Sequence, residues 1–292
     1  MTARTTGIPV IGKLLVILEM IKFEHTIFAM PFALSAALVA AGGLPQWRAL
    51  GWIVVAMVGA RSAAMAFNRI ADARIDAENP RTASRAIPKG EVSIAAAWAF
   101  TIVSAAVLVI AAYELNSLAF ALSPVALVAI LGYSYAKRFT TFSHLWLGLC
   151  LGIAPVGAWI AVKGQIGFPS MVLSAAVILW TAGFDIIYSL QDVEFDRRMG
   201  LFSLPSRIGA GRALAVSRLM HAAMVGLLVW FGVLTIRGVP YYIGAAIVGV
   251  FLIYEQSLVS PKDTSRVNAA FFTMNGCVSL VMLACVAIDV FL

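Results

Sequence analysis

Charge is scarce in this chain. Of its 292 residues only 12% are Asp, Glu, Lys or Arg, against ~25% in an ordinary soluble domain. With 62% of residues hydrophobic, too few polar side chains remain to coat a globule, which argues against a water-soluble protein. Cysteine is scarcer still. Cys150, Cys277 and Cys285 sit in apolar segments and form no CxxC pair, so neither a disulfide framework nor a zinc site is indicated. No soluble domain, flexible linker or low-complexity stretch interrupts the chain. A cleavable leader is not expected either: the first apolar run is too long, contains Glu19, Lys22, Glu24 and His25, and lacks a convincing cleavage site. Acidic residues number 14 against 21 basic ones, a formal net charge of +7. Orientation in a membrane explains that excess better than nucleic-acid binding does.

Apolar runs of 18 or more residues, by contrast, recur along the whole length, the signature of membrane-spanning helices. Nine spans are predicted, near 13–41, 49–67, 92–113, 117–135, 144–162, 171–190, 212–236, 239–259 and 268–291. The predicted fold is an all-α, multi-span membrane bundle forming one domain over 1–292. The first run exceeds one crossing; its start suits an amphipathic leading helix, and Pro31 permits a kink. Connections at 42–48, 114–116, 163–170 and 237–238 are short, whereas 68–91 and 191–211 are long and charged. If the N-terminus is inside, the outer segments hold only Arg48, Lys163 and Arg237 of the basic residues, Arg61 and Arg218 fall in or beside spans, and the rest lie inside. The expected location is a bacterial inner membrane, with the N-terminus and both charged stretches cytoplasmic.

Those stretches carry the chemistry. Asn68, Asp72 and Asp76 are four residues apart, one face of a continuing helix. Arg81, Arg85 and Lys89 follow. Asp185, Tyr188, Asp192 and Asp196 are spaced 3, 4 and 4, and Arg197, Arg198 and Arg207 follow them. Tyr188, Asp192 and Asp196 stand 120 residues after Asn68, Asp72 and Asp76, which suggests pseudo-repeat halves of about 1–140 and 141–292. The plain reading is a solvated loop whose acids pair with Arg69, Arg74 and Arg81. The matched second set outweighs it, because Asp185 lies within an apolar stretch where an unpaired charge costs ~2.5–3.5 kcal/mol on insertion scales. Facing carboxylate clusters repel one another. A divalent cation shared with an anionic ligand removes that repulsion, and Mg²⁺ suits oxygen donors divided between carboxylates and phosphates.

Other polar residues admit two readings. Arg61 lies seven residues before Asn68, two helical turns deeper: it is either an arginine snorkelling to the interface or, as that depth favours, one pointing into a polar cavity to hold an acceptor carboxylate or phosphates. At the inner end of the fourth span, Tyr133, Tyr135, Lys137 and Arg138 are either an interfacial belt with its cationic anchors or two cations for phosphate oxygens. Lys22, Glu24 and His25 line an acceptor pocket or simply sit at the interface. His144 and His221 read as structural or interfacial.

Together these motifs resemble those of the UbiA superfamily of intramembrane prenyltransferases. Its first motif, NxxxDxxxD followed by RTxxR, matches Asn68, Asp72, Asp76, Arg81, Thr82 and Arg85. Its second, DxxYxxxDxxxD, matches Asp185, Tyr188, Asp192 and Asp196, and an intervening YxxxK matches Tyr133 and Lys137. The resemblance covers nearly the whole chain. Two positions depart from it: Arg69 stands where many members have an acid after the Asn, and Ala86 follows Arg85 where Pro is frequent. The resemblance implies transfer of a prenyl chain from a polyprenyl diphosphate to an aromatic acceptor in quinone biosynthesis. Mg²⁺ would be held by Asn68, Asp72, Asp76, Asp192 and Asp196, and the diphosphate by Arg81, Arg85, Lys137, Arg138 and Arg207. Catalytic roles fall to Asp185, Arg61 and Tyr188, and acceptor binding to Arg61, Lys22 and Asp185. The acceptor is 4-hydroxybenzoate-like, on the way to ubiquinone, or 6-amino-6-deoxyfutalosine, on the way to menaquinone; the phrase KFEHTIFAMPFA resembles the latter branch. Competing readings are a UbiA-type enzyme with another acceptor and a transporter, although a transporter's charges should spread along a pathway rather than cluster at one face. A phospholipid-type phosphotransferase is disfavoured, since no DGxxAR element is present.

Overall fold

The computed structural model describes residues 26–292, with side chains from Phe28 onward. The leading segment of the first span, with Lys22, Glu24 and His25, lies outside the described residues. In chain order the helices are α1 (Thr26–Ala41), α2 (Trp47–Ala71), α3 (Ala73–Glu78), α4 (Ile94–Leu115), α5 (Ser117–Ala136), α6 (Ser143–Lys163), α7 (Phe168–Ser189), α8 (Val193–Met199), α9 (Leu204–Ile208), α10 (Ala210–Leu234), α11 (Val239–Ser257) and α12 (Asn275–Phe291). A 3₁₀ turn, Leu190–Asp192, joins α7 to α8, and a π-helical turn, Ala269–Met274, leads into α12. Among the described residues, eight helical stretches are long and apolar enough to cross a membrane, and each coincides with one of the nine predicted spans. Of the remaining prediction, 13–41, the described part is α1, an apolar helix of 16 residues that is shorter than the other eight stretches.

Local chemistry sets many boundaries. The Ser93 hydroxyl accepts from the Ala96 N–H at 3.2 Å to start α4, and the Asn116 amide oxygen accepts from Ala119 N–H at 2.9 Å to start α5. Gly164, at φ 69°, ends α6 in the left-handed region that glycine tolerates. Prolines stand in the first turns of α7, α9 and α11, where no donor is missed.

The middle of the bundle is α7, two-thirds of whose span is buried. It packs on α6, α10 and α1. Trp180, fully buried, meets Phe32 of α1 at a tilt at 5.1 Å and Phe184 edge-on at 5.1 Å. Hydrocarbon solvates a leucine as well as another leucine does, so helices in lipid associate through close fit rather than hydrophobic burial. Small residues provide that fit here. Gly148 and Gly152 of α6 face α7 so closely that a Cβ on Gly148 would stand 2.4 Å from the Ile178 carbonyl oxygen. Ser174 Oγ donates to the Gly152 carbonyl at 2.7 Å in the same contact. The outward faces carry strongly exposed Ile102, Val128, Leu219 and Ile253, a surface suited to acyl chains and not to water.

Candidate active site

At one end of the bundle the charged stretches converge. Helix α2 is interrupted at Asp72, whose backbone (φ −93°, ψ 3°) leaves the helical region before α3 resumes. The four-residue hydrogen-bond step survives the break: Asp72 N–H donates to the Asn68 carbonyl at 2.9 Å and Asp76 N–H to that of Asp72 at 2.8 Å. Asp72 and Asp76 are both buried and both held by cations. Lys137 Nζ donates to Asp72 Oδ2 at 2.6 Å, and Arg138 Nη2 stands 3.6 Å from Oδ1. Arg85 Nη1 reaches both Asp76 oxygens at 2.7 and 2.8 Å. Asn68 orients Asp72 through its amide at 3.2 Å and takes a hydrogen bond from Arg69 at 3.2 Å.

The second motif is not one straight helix. The 3₁₀ turn after α7 shifts the phase of Asp192 relative to Asp185 and aims it across the site. Arg81 forks onto it: Nε donates to Asp192 Oδ1 at 3.0 Å, Nη2 donates to Oδ2, and Nη1 donates to the Tyr188 hydroxyl at 3.0 Å. Burial alone would lower the Arg81 pKa, but the hydrogen bonds to Asp192 and its charge outweigh that and hold the guanidinium above its ordinary value. Asn79, which the sequence reading passed over, donates to Asp192 Oδ1 at 3.1 Å and accepts from the Arg81 N–H at 3.0 Å. It stands three residues after Asp76, so the 4, 4, 3 spacing of Asn68, Asp72, Asp76 and Asn79 was the signal available.

Asp185 has a specific partner. His144 Nδ1 lies 2.7 Å from its Oδ2, while His144 Nε2 lies 3.1 Å from the Leu204 N–H. A backbone N–H can only donate, so Nε2 accepts and the Nδ1 proton points at the carboxylate. His144 thus has a defined position beside the site, pinning the 202–204 segment to α7; as a lone histidine it gave no sign of this in sequence. The Phe202 N–H also donates to the Lys137 carbonyl at 2.7 Å, securing the same segment to the end of α5.

Two cavities meet here. A polar one of about 180 Å³ is lined by Asn68, Asp72, Asp76, Asn79, Lys137, His144, Asp192 and Asp196, among others. A larger one of about 960 Å³ runs into the bundle between apolar residues of α2, α4, α5 and α6, with Arg61 on its wall. Asn68, Arg81, Arg85, Tyr133 and Tyr188 line both. Tyr188 therefore stands at the junction, whereas Arg61 lies deeper, on the wall of the large cavity alone, beyond Ala64 and Met65. Arg138 is exposed and stacks on Tyr135 at 4.9 Å, at the outer edge of the Asp72 pair. Arg207 is exposed, stacks on Phe202 at 3.9 Å and lines neither cavity. Lys22 lies outside the described residues.

The donor set suits a hard divalent cation. Among the described residues no three His, Cys, Asp or Glu side chains converge into a closed metal site. What is present is an open row of carboxylate and amide oxygens, with Asp72 Oδ1 buried and making no hydrogen bond. Mg²⁺ characteristically takes one or two carboxylates and completes its shell with ligand phosphates, and this row leaves that share open.

Comparison with known proteins agrees with this geometry. The profile of the UbiA prenyltransferase family matches residues 29–276. A 4-hydroxybenzoate octaprenyltransferase of Burkholderia ambifaria is 32% identical over 239 residues, covering 82% of each chain. One from Cupriavidus necator is 33% identical over 240 residues, covering 82% of this chain and 83% of that one. Among solved structures, the apo structure of a UbiA homologue from Aeropyrum pernix K1 superposes with a TM-score of 0.83 at 36% identity, over 91% of this chain and 98% of that one. A UbiA homologue from Archaeoglobus fulgidus, bound to GPP and Mg²⁺, shares the fold at 17% identity and a TM-score of 0.70, over 95% and 100% of the two chains. An apolar bundle whose two Asp motifs meet at one end, matched along most of its length by this family, is an integral membrane transferase, and the chain belongs to the UbiA prenyltransferase family.

Proposed function

We propose that this protein transfers a polyprenyl group from a polyprenyl diphosphate to a carboxylated aromatic acceptor of the 4-hydroxybenzoate type, at the cytoplasmic face of a bacterial inner membrane. The observation that carries the reading is the pair of joined cavities: a small one rimmed by carboxylates and cations, and a large apolar one sharing its wall. A prenyl diphosphate has that same division into head and tail. The names of the relatives support the acceptor class. Bound among Asn68, Asp72, Asp76, Asp192 and Asp196, Mg²⁺ would supply positive charge to the diphosphate. Arg81, Arg85 and Lys137 add to it, so that the leaving group is stabilised as the C–O bond lengthens. Arg81 and Tyr188, at the junction, orient the first prenyl carbon. The apolar walls exclude water, which would otherwise capture the allylic cation. Arg61 suits the acceptor carboxylate, and Asp185, with its His144 partner, the orientation of the acceptor or receipt of its proton. The two motif-bearing stretches support one domain over 1–292 with pseudo-repeat halves of about 1–140 and 141–292.

The test is a transfer assay with the purified protein in lipid, supplied with Mg²⁺ and a polyprenyl diphosphate. 4-Hydroxybenzoate and 6-amino-6-deoxyfutalosine are offered in parallel, each with an EDTA control. Prenylated 4-hydroxybenzoate, abolished by EDTA, is the expected result. Product from the futalosine derivative alone would move the acceptor to the menaquinone route. Undiminished transfer in EDTA would refute the metal assignment, and failure to bind or consume any polyprenyl diphosphate would refute the reading as a whole.

A further inference from the structure

Away from the Asp motifs, the bundle buries a second polar cluster that the proposed chemistry does not use. Asn275, at the start of α12, is fully buried, as are Trp180 and Glu255. Trp180 Nε1 donates to Asn275 Oδ1 at 2.7 Å. An indole nitrogen can only donate, so the amide orientation is settled and Nδ2 must face the other way. There it meets Glu255 Oε1 at 3.3 Å, the Phe271 carbonyl at 2.9 Å and the Ala270 carbonyl at 3.4 Å.

Those two carbonyls belong to the π-helical turn. In an α-helix the Asn275 N–H would donate to the Phe271 carbonyl. Here it goes to Phe272, and the Asn275 side chain serves Phe271 instead. The side chain thus ties directly to two carbonyls of the π-helical turn. That turn carries two consecutive rings, Phe271 and Phe272, both on the wall of the large cavity. Phe271 stacks on Tyr188 at 4.2 Å and meets Phe184 and Phe28 edge-on at 5.3 and 5.7 Å. Tyr188 in turn accepts from Arg81. A continuous line of contacts therefore runs from a buried amide to the junction where head and tail cavities meet. Single π turns are frequent at functional sites, and aromatic faces attract cations.

We propose that Asn275, oriented by Trp180 and braced by Glu255, is a positioning residue for transfer: it holds the turn that places Phe271 and Phe272 against the reacting end of the prenyl chain. The proposal rests on the prenyltransferase reading above. When the allylic C–O bond breaks, its electron pair leaves with the diphosphate. The cation is then taken either by the acceptor carbon, which loses a proton, or by water, whose oxygen adds and whose proton goes to solvent, giving prenyl alcohol. A displaced aromatic wall shifts this partition towards water.

The experiment measures, for wild type, Asn275→Ala, Phe271→Leu and Glu255→Gln in lipid, the ratio of prenyl alcohol to prenylated acceptor. It also measures inhibition by inorganic diphosphate with Mg²⁺, which reports the polar cavity alone. Asn275→Ala and Phe271→Leu are each expected to raise the alcohol share about tenfold while inhibition by inorganic diphosphate stays within about twofold. Glu255→Gln keeps an oxygen facing the amide and is expected to leave the ratio at its wild-type value. A wild-type ratio in Asn275→Ala overturns the proposal. Should that variant fail to fold, a wild-type ratio in Phe271→Leu does so. Equal loss of diphosphate inhibition and of partition would mean general loosening and overturn it too. A wild type that consumes no polyprenyl diphosphate fells the functional reading itself.

Discussion

Asp192→Asn is expected to reduce turnover by at least ~10³-fold, about 4 kcal/mol of transition-state stabilisation, while the protein stays folded. The substitution keeps the volume and one oxygen acceptor but removes the charge. Asp192 is where Arg81, Asn79 and, through Arg81, Tyr188 are tied together, so the loss reaches the junction of both cavities. Stability should change little. The Arg81 side chain is 31% exposed and can hydrate, and a part-exposed ion pair of this kind contributes ~1 kcal/mol or less. Asp72→Asn should behave alike in turnover, since it removes the anion facing Lys137 and Arg138. The check pairs the transfer rate of purified variants with their thermal midpoints. A folded Asp192→Asn protein turning over within about tenfold of wild type would sink the assigned role, because that is far less than losing an electrostatic stabiliser should cost.

Gly148→Leu is expected to abolish the native bundle, and Gly148→Ala to cost roughly 1–3 kcal/mol, the range for overpacking a close-fitting core. The contact leaves no alternative: a Cβ at Gly148 would lie 2.4 Å from the Ile178 carbonyl oxygen and 3.1 Å from its carbonyl carbon and Cα. Those are backbone atoms of the most enclosed helix, which cannot swing away as a side-chain tip would. Gly51→Ala is the matched control. Nothing lies within 4 Å of its added methyl, and in a helix interior the exchange should be neutral or stabilising by ~1 kcal/mol. Thermal midpoints in one detergent decide it: Gly148→Ala no less stable than Gly51→Ala would show that the α6–α7 approach is not what holds this pair.

The spans were legible because hydropathy over 18 residues integrates a large signal, and the carboxylate rows because a four-residue period survives the interruption at Asp72. The partners were not. Nothing in the sequence says that Arg81 ignores the nearby acids and reaches Asp192, 111 residues away, nor that His144 meets Asp185; pairing across a bundle depends on helix order and rotation. The interruption at Asp72 carries no Pro or Gly to announce it, and the 3₁₀ turn at Leu190–Asp192 likewise breaks what reads as a single face. Arg207 followed its motif in sequence yet stacks outside both cavities, because α9 turns it towards solvent. Asn275 gave no signal at all: an amide within an apolar run acquires meaning only when Trp180 and the π turn are seen beside it.

The long reach of the Arg81–Asp192 fork has a further consequence, for biogenesis. The residues that close this site are separated by four membrane crossings, those of α4, α5, α6 and α7. Synthesis delivers Arg81 well before Asp192 exists, and contacts between distant segments form late because the intervening loop must be ordered first. On the function proposed above, the nascent protein would be inert towards reactive diphosphates until α7 is in place, and competence to ionise a substrate would arrive only with most of the helices already in the bilayer.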